Sequence, residues 1–169
     1  MESTVKLYSL TCRETRTYLF AALFIAGNII LPQLCHLVPG GGLTWLPVYF
    51  FTLIAAYKYG LRVGLLTAVL SPLLNSLLFD MPAAQALPAI VVKSTILAVA
   101  AAYAARKAQN VSILAILAAV LAYQAAGTLV EWAIVKDFFV ALQDFRIGVP
   151  GILFQIIGGY ILLKAIAKI

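Results

Sequence analysis

The sequence predicts an all-α membrane protein, a bundle of six transmembrane helices with both termini cytoplasmic. Three observations predict it. Of the 169 residues, 64% are hydrophobic and only 11% are charged, where a soluble domain carries roughly 25% charged residues. The mean hydropathy is +1.04. Apolar runs of about 20 residues, the length that crosses a bilayer, recur along the chain between short polar breaks. Residues 1–16 form a cytoplasmic N-terminal segment and residues 17–169 a single transmembrane domain.

The first run extends from Tyr18 to Leu37. It is longer than the apolar region of a signal peptide and has no small-residue cleavage site, so it is read as a retained helix. The loop Val38 to Thr44 follows. Its three successive glycines, Gly40, Gly41 and Gly42, are expected to form a mobile turn that cannot hold a helix. A second, shorter span runs from Trp45 to about Tyr57. Lys58 and Arg62 flank Gly60 in a tight turn, and span three runs from Leu61 to Phe79. Asp80-Met81-Pro82 breaks it. Span four covers Ala83 to Ala105 and ends at Arg106-Lys107, and span five covers Val111 to Trp132. A mixed segment, Ala133 to Gly148, precedes span six, Val149 to Ala167. No internal repeat or low-complexity tract is present.

The net charge of +6 does not point to nucleic acid, because the basic residues sit in pairs between apolar runs and not on one polar face. They read as topology signals. With both ends inside, the cytoplasmic face collects Lys6, Arg13, Arg16, Lys58, Arg62, Arg106, Lys107, Lys164 and Lys168, and the outer face only Lys136 and Arg146. That bias follows the positive-inside rule and closes only on an even number of spans. The chain is expected in a bacterial inner membrane, multi-pass. Cys12 and Cys35 fall on opposite sides of the bilayer, so they are not expected to pair.

No phosphate-cradling Gly-x-x-x-x-Gly-Lys motif occurs. With one histidine, the three protein ligands of a catalytic zinc are missing. Ser71 and Ser76 have no histidine at a recognisable spacing. The chain is therefore expected to be no enzyme and to hold no permanent cofactor.

What chemistry there is lies inside the spans. At about 1.5 Å per residue, Asn28, Asn75, Lys93, Gln124 and Gln155 all fall about 15 to 21 Å from the inner face. Such groups are expensive in a bilayer unless they face the bundle or water. They are expected to line an outward-facing cavity, with interhelical hydrogen bonding as the alternative. Lys93 finds no acid at its own depth, since Glu131 sits nearer the outer interface, roughly 12 Å above it. Its counter-charge is expected from a ligand. Cys35, His36, Trp45, Tyr49, Asp80 and Trp132 gather around the outer mouth. In span one, Ala22 and Ala26 form a small-xxx-small pair that lets another helix approach closely.

These residues carry a resemblance. Ala22-xxx-Ala26, then Leu34 to Gly42 (LCHLVPGGG), Trp45 to Tyr49 (WLPVY) and Ser71 to Pro82 (SPLLNSLLFDMP) resemble the substrate-binding S components of energy-coupling factor (ECF) vitamin transporters. The resemblance implies six helices with both ends inside and capture of a vitamin or related micronutrient from the outside. It implies a membrane coupling subunit docked on the Ala22 and Ala26 face, two partner ATPase subunits that use the ATP, and a first extracellular loop that acts as a lid. Substrate-binding residues are expected among Lys93, Asn75, His36, Trp45, Tyr49, Gln124, Asn28 and Gln155. Many relatives of this look carry an acid where Lys93 aligns. Two substrates stand open: a carboxylate-bearing vitamin read by Lys93, or cobalamin, with Cys35 or His36 available to its cobalt. The rival from another class is a membrane scaffold of the cell-shape machinery type, which needs neither a polar layer nor a glycine loop.

The charge bias makes a direct prediction. Reporter fusions at Met1 and at Ile169 should both read cytoplasmic. Opposite readings would mean an odd number of crossings.

Overall fold

The computed structural model describes residues 7–167. Lys6 and Lys168, which enter the charge bias, and the chain ends Met1 and Ile169 lie outside the described residues. The described chain is all helical. Four helices are long and apolar enough to cross a membrane: α1 (Thr15–Cys35), α4 (Leu61–Phe79), α5 (Leu87–Ala108) and α6 (Ile113–Val135). Between α1 and α4 lie a short helix, α2 (Gly41–Trp45), a 3-10 turn (Pro47–Tyr49) and α3 (Phe50–Tyr59). After α6 come two single turns, α7 (Phe138–Ala141) and α8 (Gln143–Arg146), and a shorter apolar helix, α9 (Val149–Ala165). The chain is thus a multi-pass membrane protein with four helices of spanning length and a shorter fifth. The expected second span is not of that kind.

The reason lies in α3. Pro47 opens the 3-10 turn after Leu46, which takes the left-handed region at φ 47°, and Gly60 ends the helix at φ 94°. Ten residues rise about 15 Å, half of a hydrocarbon core of about 30 Å. All of α3 except Phe51 is buried. It packs against α1, α4, α5 and α9. A helix this short would leave polar backbone facing lipid, and membrane backbone departs from full spans only where protein covers it. Here the longer helices supply the cover, and α3 is the axis of the bundle.

The lipid side has the opposite character. Leu23, Leu114 and Ile161 are each more than half exposed, and apolar residues run all round the long helices, as expected where one face meets protein and the other meets lipid. Close approach at the axis relies on small residues. A Cβ at Gly64 would stand 2.5 Å from Ala56 Cβ, so α4 lies directly on α3.

The proline inside α1 is compensated from a neighbouring helix. Pro32 has no N–H to give the carbonyl four residues back. That carbonyl, Asn28 O, accepts instead from Asn75 Nδ2 at 2.8 Å. Asn28 itself donates to Thr52 Oγ1 and Ser71 Oγ at 3.1 and 3.2 Å, and its Oδ1 accepts from the Phe51 N–H at 3.2 Å. One buried network so ties α1, α3 and α4.

At the basic end, Lys58 is fully buried and donates to the Ile166 and Ala167 carbonyls at 2.9 and 3.2 Å. Those carbonyls close α9, where a cation is well placed against orphan acceptors. The N-terminal segment joins the same point: the Tyr8 N–H donates to Lys58 O at 2.8 Å, and Tyr8 stacks on Tyr59.

Replacing Gly64 by leucine should force α3 and α4 apart and cost about 1 to 3 kcal/mol or more, read as a lower melting temperature in detergent. Leu114→Ala on the lipid face should move the same transition far less.

Candidate functional site

At the acidic end of the bundle, opposite Arg62, Arg106 and Lys164, the helices enclose a cavity of about 420 Å³. Its walls are mostly apolar, with Leu46, Val48 and Ile90 among them. Its charged residues are Lys93, Glu131, Asp144 and Asp80, and His36 stands at its edge. Short elements build the outer wall. A Cβ at Gly151 would meet the Trp45 carbonyl at 2.5 Å and one at Gly148 the Asp144 carbonyl at 2.6 Å. The start of α9 therefore packs directly against the end of α2 and against α8.

Lys93 is 2% exposed. Its Nζ donates to Asp144 Oδ2 at 2.7 Å and is also in ion-pair contact with Glu131 Oε2. The expectation that Lys93 lacks an acid at its depth is corrected, and the cause is geometric. Helix α5 starts at Leu87, not at Ala83, so Lys93 lies only about 9 Å below its outer end. Helix α6 continues past Trp132 to Val135, which places Glu131 about 6 Å inside its own end. The two depths nearly coincide. The mixed segment before α9 does not stay outside the bundle either: α8 turns Asp144 inward until it is 5% exposed. Gly127 makes the approach possible, since a Cβ there would stand 2.6 Å from Lys93 Cγ. Gly127 and Glu131, four residues apart, share one face of α6, and that face receives the lysine.

The five polar residues expected in one layer fall into three groups. Lys93 belongs to the cavity. Asn28 and Asn75 belong to the network across α1, α3 and α4, and no wall of the cavity includes them. Gln124 and Gln155 flank Tyr123: the Tyr123 hydroxyl donates to Gln155 Oε1 at 2.9 Å and accepts from Gln124 Nε2 at 3.1 Å. That cluster is fully buried between α6 and α9, with Gln124 Oε1 and Gln155 Nε2 unpartnered.

Of the mouth residues, His36 and Tyr49 line the cavity. His36 ends α1, and its Nδ1 donates to the Pro32 carbonyl at 2.6 Å, so the opposite edge of the ring faces Gly42. Tyr49 is buried with its ring centroid 5.3 Å from that of Tyr123. Trp45 is not part of the cavity wall; it packs edge-on to Phe154. Cys35 is a free thiol, as is Cys12, and Cys35 does not line the cavity. The glycine loop also departs from expectation. Gly41 and Gly42 begin a helix, and they are needed for fit: a Cβ would meet Cys35 O at 2.0 Å and His36 Nε2 at 2.6 Å respectively. Only Gly40 takes a left-handed φ, 74°. Ala22 and Ala26 are exposed on one face of α1.

Asp144 is the site residue that the sequence did not single out, and Glu131 the one it placed at the wrong depth. The available signal was Lys93 itself, because a buried cation demands acids and few acids exist in this chain. Comparison with family models, with curated protein sequences and with solved structures finds no match for this chain.

Removing one member of a buried ion group leaves the others uncompensated and costs about 3 to 5 kcal/mol. Lys93→Met should therefore strongly lower the melting temperature. The triple replacement Lys93→Met, Glu131→Gln, Asp144→Asn should recover most of the loss.

Proposed function

We propose that the chain is a membrane-embedded substrate-binding subunit of the ECF type, which captures a vitamin or related micronutrient from the outside for uptake driven by a separate ATP-using module. The observation that carries the reading is the charged cavity. A packing protein gains nothing from a 420 Å³ space with three buried ionisable side chains, Lys93, Glu131 and Asp144, in its wall. Small-molecule sites have this character: about 300 to 1,000 Å³, mostly apolar, with a few placed polar groups. By the charge bias, the cavity opens toward the outer face.

Two further features support the reading. The chain has no phosphate loop of its own, which fits a subunit whose power comes from partner ATPases. The exposed Ala22 and Ala26 on α1 leave a low surface in the lipid-facing belt, suited to close approach by a helix of a coupling subunit. The scaffold alternative uses neither feature.

The geometry weighs on the substrate. The case for a carboxylate-bearing vitamin was an uncompensated Lys93, and that lysine already holds two carboxylates. Cobalamin, whose macrocycle and nucleotide arm far exceed the cavity as it stands, requires the outer elements α2 and α8 to move aside. A smaller vitamin fits without that change.

The docking part of the proposal is tested at the alanines. Ala22→Trp and Ala26→Trp should abolish co-purification with the coupling subunit and reduce uptake to background. The melting temperature of the isolated protein should stay within the parent's range, because neither residue is buried. Undiminished uptake in both variants would remove α1 as the docking face.

A further inference from the structure

The charge count of the cavity carries a conclusion about what enters it. The ionisable side chains that line it are Lys93, Glu131, Asp144, Asp80 and His36. Of these, Lys93, Glu131 and Asp144 are buried while Asp80 and His36 are exposed. Within the buried set one cation faces two carboxylates, a formal excess of negative charge. The two buried carboxylates are also half used. Asp144 meets Lys93 through Oδ2 and Glu131 through Oε2. No hydrogen bond engages Asp144 Oδ1 or Glu131 Oε1 among the described residues, although the residues are only 5% and 8% exposed.

We infer that the cavity selects a small molecule bearing a positively charged amine or ammonium group, which lies against the free oxygens of Asp144 and Glu131 while its apolar body fills the rest. This inference rests on the reading of the cavity as a ligand site and deepens it. Three physical arguments support it. A buried excess of negative charge is costly in a low-dielectric bundle until a cation joins it. A charge-assisted hydrogen bond to a carboxylate is roughly twice as strong as a neutral one. Tyr49 in the cavity wall presents an aromatic ring of the type that attracts cations. Lys93 then has a positioning role. It holds the two carboxylates together and turns one oxygen of each to the cavity, where alone they would repel. The remaining walls, from Leu43, Leu46, Val48, Met81 and Ile90, suit an apolar or aromatic body.

The experiment uses three probes of nearly equal shape and different charge, phenethylamine, 2-phenylethanol and phenylacetate, each titrated against the purified full chain in detergent with the melting temperature as readout. Phenethylamine should stabilise the protein in a saturable way, and the other two should not. Asp144→Asn should weaken the amine response roughly tenfold or more. Glu131→Gln, which leaves the Lys93 and Asp144 pair intact, should do the same and serves if Asp144→Asn does not fold. Ala22→Trp should leave the amine response unchanged, which separates ligand class from subunit docking. Stabilisation by phenylacetate in preference to the amine would overturn the cation assignment and leave the ligand site standing. An equal response to all three would overturn the charge selectivity. No response to any would overturn both the assignment and the ligand site. An amine response together with failure of the parent to join a coupling subunit would uphold the assignment and remove the ECF reading.

Discussion

The structure depends on one constraint: inside a bilayer, every backbone polar group must find its partner within the protein. A ten-residue helix at the centre of the bundle meets that constraint only if other helices cover it completely. Helix α3 is covered by α1, α4, α5 and α9, and the rest of the architecture follows. Gly64 must be small so that α4 can lie on Ala56. Asn28 must reach the Phe51 N–H at the start of α3. Lys58 must close the end of α9 where α3 stops. Because α3 spans only about half the membrane, the space above it on the acidic side is left for other elements to fill. The short pieces α2 and α8 fill it incompletely, and the cavity is what remains.

The same constraint explains why the polar residues divide as they do. Asn28, Asn75, Thr52 and Ser71 mend backbone interrupted by Pro32 and hold helices together. Tyr123, Gln124 and Gln155 join α6 to α9. Of these three groups, the Lys93 group is the one that stands in a cavity wall. A buried ion group is weak evidence for stability on its own terms, since well-packed apolar residues often do as well. Its place in a cavity wall is what gives it functional weight.

Much of the fold was legible in the sequence. Runs of apolar residues located α1, α4, α5 and α6 to within a few residues, because length and hydropathy are local properties. The short α3 was harder. Its apolar run is continuous with the preceding loop, and only the fold shows that it is wrapped on every side. The site was legible in part. Lys93, His36 and Tyr49 could be singled out as unusual for their positions. Asp144 could not, because it lies in a polar connecting segment that reads as exposed until its folding back is seen. Glu131 was visible but placed too high, through errors of three or four residues at two helix ends that each add about 5 Å. Boundary precision matters little for a fold and a great deal for an ion pair.

The Lys58 contact with the end of α9 bears on how such a chain is made. Synthesis proceeds from the N-terminus, so α3 and its lysine emerge long before the carbonyls of Ile166 and Ala167 exist. Until then the half-length helix lacks its cover from α9, and two of the carbonyls that receive the Lys58 ammonium are not yet made. The nascent bundle therefore has a late locking step, in which the last helix settles against the second hydrophobic segment and seals the basic face. A chain cut short before Val149 would retain its four long helices and still carry an exposed seam where α9 covers α3, the sort of defect by which membrane quality-control machinery distinguishes unfinished proteins from finished ones.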